Sequence, residues 1–131
     1  MQLNFTISEL IKSDTAATYG IDNTPDSDSL DNMLELIVNC LQPIRDKLDK
    51  PMIITSGYRN SQVNTLVGGV AASQHTKGQA ADFKVSGYTP SELVKLIQTY
   101  GTDYDQLINE YDKWVHISYV KGNNRKQVLK Y

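Results

Sequence analysis

Cysteine is nearly absent from this chain: Cys40 stands alone, which excludes an intrachain disulfide and any multi-cysteine metal site. A bound metal must therefore be held by nitrogen and oxygen. Cys40 lies in an apolar-periodic stretch and reads as an inert core thiol rather than a nucleophile. Long apolar runs are also missing. The longest fall far short of the roughly 20 residues that span a bilayer, so no membrane insertion is expected. The opening MQLNFTISELIK has no cationic start, continuous apolar stretch or small-residue cleavage site, which predicts cytoplasmic residence on synthesis. Neither sign of charge dominates: 13 Lys and Arg are scattered among 15 Asp and Glu, a net charge of -2, with no electrostatic footprint for nucleic acid. No repeat, low-complexity tract or Pro/Gly-rich linker divides the chain. With 131 residues, 40% hydrophobic and 21% charged, residues 1–131 are expected to form one folded domain with one active site.

What is present is periodicity. Phe5, Ile7 and Leu10 with Ser8 and Glu9 predict a short N-terminal helix packed on the surface, followed by a polar loop through Asn23-Thr24-Pro25. Apolar residues from Leu30 to Leu48 recur at three- and four-residue steps, predicting an amphipathic core helix over 29–48 with Pro43 as a kink. Met52-Ile53-Ile54-Thr55, bounded by Pro51 and a Ser56-Gly57 turn, reads as a buried strand, and 61–66 as a short helix. A glycine-bearing stretch then delivers His75 to a loop-to-strand junction ahead of an extended segment, 79–85. Thr89-Pro90 opens another helix. Strands over 106–110 and 114–119 are joined by Tyr111-Asp112-Lys113 as a tight hairpin, and 127–131 adds a last strand. The order points to an α+β fold with a mainly antiparallel sheet and flanking helices.

The chain has two histidines, His75 and His116, both at the ends of sheet segments. Side chains alternate along a strand, so Trp114, His116 and Ser118 share one face while Val115, Ile117 and Tyr119 share the other, which must meet the core. The same alternation turns Asp82 away from Ala81, Phe83 and Val85. With Glu110 opposite Trp114 in the hairpin, Glu110 lies diagonal to His116 at roughly 7 Å. Catalytic zinc takes three protein ligands from His and carboxylate and keeps one position open. His75, Asp82 and His116 supply that set. Glu110 is the expected general base, preferred to Asp112 because strand alternation aims it at the metal face, whereas Asp112 falls in the turn.

Ser73-Gln74-His75-Thr76-Lys77-Gly78-Gln79-Ala80-Ala81-Asp82 resembles the Ser-x-His-x-x-Gly-x-Ala-x-Asp motif of zinc D-alanyl-D-alanine peptidases. Trp114-Val115-His116 resembles the third-ligand segment of that family, and Ser56-Gly57-Tyr58-Arg59 its arginine-bearing segment. The opening, 5–25, resembles most closely a small phage-associated branch, so the likeness covers nearly the whole chain. The resemblance implies the fold shared with the Hedgehog signalling domain. It also implies zinc-dependent cleavage of bacterial peptidoglycan stem peptides, at D-alanyl-D-alanine (carboxypeptidase) or L-alanyl-D-glutamyl (endopeptidase) linkages, and action on the cell wall as a phage or prophage lysis (endolysin) or particle protein. Arg59 would stabilise the developing oxyanion or bind a substrate carboxylate, and Ser73 would hydrogen-bond substrate. Ser73 as a turn cap, and Trp114 as either packing residue or apolar substrate wall, stand beside those readings. Better-studied members carry Asp or Glu three positions before the last histidine, where this chain has Lys113. That departure supports an alternative, a non-catalytic zinc-containing module that grips cell wall or builds a virion.

Overall fold

The computed structural model describes residues 2–131. Thr6 opens α1 (Ile7–Ile11) with a capping box: its hydroxyl accepts the Glu9 N–H while the Glu9 carboxylate accepts the Thr6 N–H. A second helix, α2 (Asp14–Tyr19), follows where only a polar loop was expected; Ser13 caps its start, and Gly20 closes it in the left-handed conformation. The opening is not a surface appendage either. Phe5 and Leu10 are buried members of the core, because a five-residue helix this short persists only when its apolar side is packed.

The long helix spans α3 (Ser27–Leu36) and α4 (Gln42–Leu48), joined without a break by a wide π-helical turn, Ile37–Leu41. There the Gln42 N–H reaches back five residues to the Ile37 carbonyl. Pro43 cannot donate a hydrogen bond and its ring crowds the turn before it, so the expected kink takes the form of a locally widened helix. Met33, Leu36, Ile37, Cys40, Leu41 and Ile44 line the buried side.

Five strands form one sheet in the order β1-β2-β4-β3-β5: β1 (Ile53–Ser56), β2 (Ala80–Lys84), β3 (Gln106–Glu110), β4 (Trp114–Ser118) and β5 (Gln127–Lys130). All pairings are antiparallel except β3 with β5. The α+β class with a mainly antiparallel sheet holds. β1 departs from its expected burial: it is an edge strand, and Ile53 is 56% exposed. The remaining helices are α5 (Ser61–Leu66) and α6 (Pro90–Tyr100), the latter with Pro90 in its first turn and a Thr89/Glu92 capping box. Ala81, Phe83, Leu107, Val115 and Ile117 pack with the helices into the core. The opposite side chains of β2, β3 and β4 turn to the other side of the sheet, as alternation requires. Among the described residues no helix is long and apolar enough to cross a membrane.

Candidate metal centre

Asp82 on β2 and His116 on β4 are directly opposed across an antiparallel pair, the register that brings Cβ atoms to about 5 Å. His75 arrives from the single 3₁₀ turn Gln74–Lys77, one residue pair ahead of β2. Two glycines make that delivery possible. Gly78 adopts φ +73°, and a Cβ there would overlap the Ser29 carbonyl of α3. Gly57 follows the irregular pairing of β1 at 54–56, where the chain leaves the sheet past Leu10.

His75, Asp82 and His116 are buried and come together, one donor atom from each lying within 4.8 Å of the others. His75 Nε2 is 3.3 Å and His116 Nδ1 3.0 Å from the same oxygen, Asp82 Oδ1. Donors held roughly 2.0–2.1 Å from a tetrahedral ion stand about 3.3 Å apart, so these spacings fit a zinc-sized cation. The far side of His75 is already committed: its Nδ1–H donates to the Gly57 carbonyl at 2.7 Å. A carbonyl only accepts, so Nδ1 carries a hydrogen and Nε2 is the ring atom left to face Asp82 or a metal ion. Burial works to raise the Asp82 carboxyl, but hydrogen bonds and charge from His116 and His75 outweigh it and hold the group well below the usual carboxylate range. Two imidazoles and an ionised carboxylate are a donor set that zinc accepts.

The three donors open onto a cleft of about 550 Å³ that also reaches Arg59, Ser73, Glu110 and Trp114. Glu110 Oε1 lies 3.8 Å from His116 Nδ1. The hairpin register is the expected one, Glu110 opposite Trp114 and Ile108 opposite His116, and the side-chain tips meet closer than the roughly 7 Å diagonal spacing. Burial, with the Asp82 charge beside it, pushes the Glu110 carboxyl up from its ordinary value. Asp112 is placed differently. Its carboxylate accepts from Asn109 Nδ2 within the turn, and it does not line the cleft.

Arg59 hangs its backbone N–H on the His75 carbonyl, 3.1 Å, and its Nε is buried without a partner among the described residues. Burial lowers its pKa, while Asp82 and Glu110 favour its charge, which puts the guanidinium in the field of the donor cluster. Trp114 stacks edge-on with Tyr111 along the cleft, and its buried indole Nε1 is likewise unpartnered. Ser73 lines the cleft, and its Oγ accepts the His75 N–H, so the turn-cap reading describes one of its contacts. Cys40 is buried in the hydrophobic core and does not line the cleft, its thiol pushed up by burial. Lys113 lies outside the cleft, beside Tyr88 and Pro90.

Sequence reasoning missed two contributors. The Gly57 carbonyl carries no side-chain signal, and Asn23, expected in a surface loop, is buried and holds the Arg59 segment by bonding the Ile11 and Tyr58 carbonyls and the Asn60 N–H. A family model described as Peptidase M15 matches residues 3–118. No curated protein matches the chain.

Proposed function

The chain belongs to the Peptidase M15 family, a family of metallopeptidases, and from that we propose that it is a zinc peptidase acting through His75, Asp82 and His116 on bacterial peptidoglycan stem peptides. The observation that carries this reading is the spacing of the three donors, 3.3 and 3.0 Å about Asp82 Oδ1, with the Glu110 carboxylate 3.8 Å from His116 in an open cleft. His75, Asp82 and His116 would hold a zinc ion there, which would supply Lewis acidity toward the scissile carbonyl and toward water at neutral pH.

The protein's own groups do the rest. Glu110 takes a proton from the attacking water and returns it to the leaving nitrogen, and the second water proton also ends on that nitrogen, so water and peptide become a carboxylate and an ammonium with no net proton held by the enzyme. A carboxyl pushed up by burial suits that double duty. The Arg59 guanidinium stabilises the oxyanion as it develops, and its place on the cleft wall, in the field of Asp82 and Glu110, supports that role. Ser73 supplies a hydrogen bond to substrate from the cleft wall, with the Trp114 ring as an apolar surface. Glu110 fills the place left open by Lys113, which favours turnover over the alternative of a binding module. Service in phage or prophage lysis or entry rests on the resemblance of the opening, 5–25, to the phage-associated branch.

Mass spectrometry of a muropeptide digest by the zinc-loaded protein tests the activity and identifies the bond at once. Release of D-alanine, or an opened L-alanyl-D-glutamyl linkage, is expected. Retention on peptidoglycan with every stem peptide intact, beside an active control peptidase, would overturn the peptidase reading in favour of the binding module.

A further inference from the structure

Asp105, at the entry to β3, is 1% exposed yet keeps a carboxylate fully occupied. Its Oδ1 accepts from the Arg125 backbone N–H and Nε, each at 2.9 Å; its Oδ2 accepts from Arg125 Nη2 at 2.7 Å and Gln74 Nε2 at 2.8 Å. Arg125 is thus fixed by a two-point fork to a buried acid, and Gln74 ties that acid to the turn bearing His75. The Arg125 side chain is nevertheless 56% exposed and lines the cleft. A guanidinium has five N–H donors, of which Asp105 takes two. The remaining edge, formed by Nη1 and the second hydrogen of Nη2, has no protein partner among the described residues and is the edge that grips a second carboxylate.

The strand register places this edge relative to the donors. Ile108 opposes His116, Glu110 lies two residues along β3 in one direction, and Gln106 two residues in the other, about 7 Å from Ile108 on the same face. Arg125 stands beyond the Gln106 end, since Gln127 pairs with Gln106 across β5 and β3. The Glu110 end is bounded by Tyr111, Trp114 and Tyr131, so the cleft has an aromatic end and a guanidinium end with the metal donors between them.

We infer that Arg125, held by Asp105, binds a carboxylate of the peptide substrate at the end of the cleft opposite Glu110, and so sets which way the peptide lies. The inference rests on the peptidase reading above and names a specificity residue within it. The rotamer cost of ordering a long side chain is met during folding by Asp105, which leaves the outer edge preorganised for an acidic group. Such a group is either the peptide's C-terminal carboxylate or an acidic side chain, and the test separates the two.

Calorimetry would compare two matched pairs of short stem-like peptides, C-terminal acid against amide and glutamate against glutamine, on zinc-loaded protein carrying Glu110→Gln to slow turnover. One pair is expected to show the acid binding about 10- to 100-fold tighter than its neutral partner, the scale of charge-assisted hydrogen bonds. Which pair shows it names the carboxylate. Arg125→Lys, and separately Arg125→Gln combined with Asp105→Asn so that no buried acid is left unpaired, are expected to bring that ratio close to one. Equal binding of acid and neutral peptides by the parent, or a preference that survives both replacements, would overturn the inference. Turnover by the unmodified protein reports on the peptidase reading separately. Cleavage without an acid preference ends the clamp alone, and an acid preference without cleavage ends the peptidase reading alone.

Discussion

Gly57 does not line the cleft, yet its carbonyl accepts the His75 Nδ1–H, and a Cβ at this position would overlap the Leu10 carbonyl. Gly57→Ala is therefore expected to shift that carbonyl and to weaken zinc binding about 10- to 100-fold, the usual cost of losing a partner behind a ligand. Competition with a chromophoric chelator reads this directly, and unchanged affinity would show that the carbonyl does not orient His75. Glu110→Gln has the opposite signature. It is expected to keep its zinc and lose about 10²- to 10⁴-fold in rate, the scale of a lost general base, whereas Asp112→Asn, whose carboxylate is spent on Asn109, stays near the parent. Rate loss in Asp112→Asn with Glu110→Gln unaffected would transfer the base to the turn. The candidate ligands were legible because a motif and strand alternation both single out their side chains. The groups behind them were not, since a backbone carbonyl and an isolated Asp105 carry no period and no motif.

At the scale of elements, strand and helix patterns that depend on neighbouring residues were readable from the chain. The β3–β4 hairpin has the register expected from its turn, and α6 begins at Pro90 as its cap signal predicts. What failed was context. Burial of α1, exposure of β1 and the parallel docking of β5 on β3 depend on which distant segment lies alongside, and no local pattern encodes that. α1 supplies a test of the difference. Leu10 is fully buried between the sheet and the long helix, and its carbonyl accepts the Tyr58 N–H that leads into Arg59. Leu10→Ala is expected to cost about 2–5 kcal/mol by cavity formation, measured by chemical denaturation. A loss below 1 kcal/mol would mean that the opening is the surface element its composition suggested.

For the molecule as a whole, two charged centres tie stability to solution conditions, and they separate by experiment. Hydrogen bonds from Arg125 lead in holding the Asp105 carboxyl down to about 2, against burial that pushes it up. Its unfolded value is about 3.9, so the folded state binds this proton less readily than the unfolded one. The stabilisation is complete above roughly pH 5 and disappears as pH falls through 4 towards 2. In zinc-free protein, the stability gap between the parent and Asp105→Asn should narrow over that window; a gap independent of pH would refute the assignment. The other centre is the candidate metal site of His75, Asp82 and His116. A ligand that binds only the folded state at 100 times its Kd stabilises it by about 2.7 kcal/mol, or about 10 °C in Tm for a chain of this size. Chelation at pH 7 should lower Tm by that order in the parent and leave it unmoved in His116→Ala, which lacks one of the three donors. Because Arg125 and Asp105 lie outside that donor set, Asp105→Asn should still show the chelation shift in full, and losing it would mean that the clamp and the metal centre fold as one unit joined through Gln74.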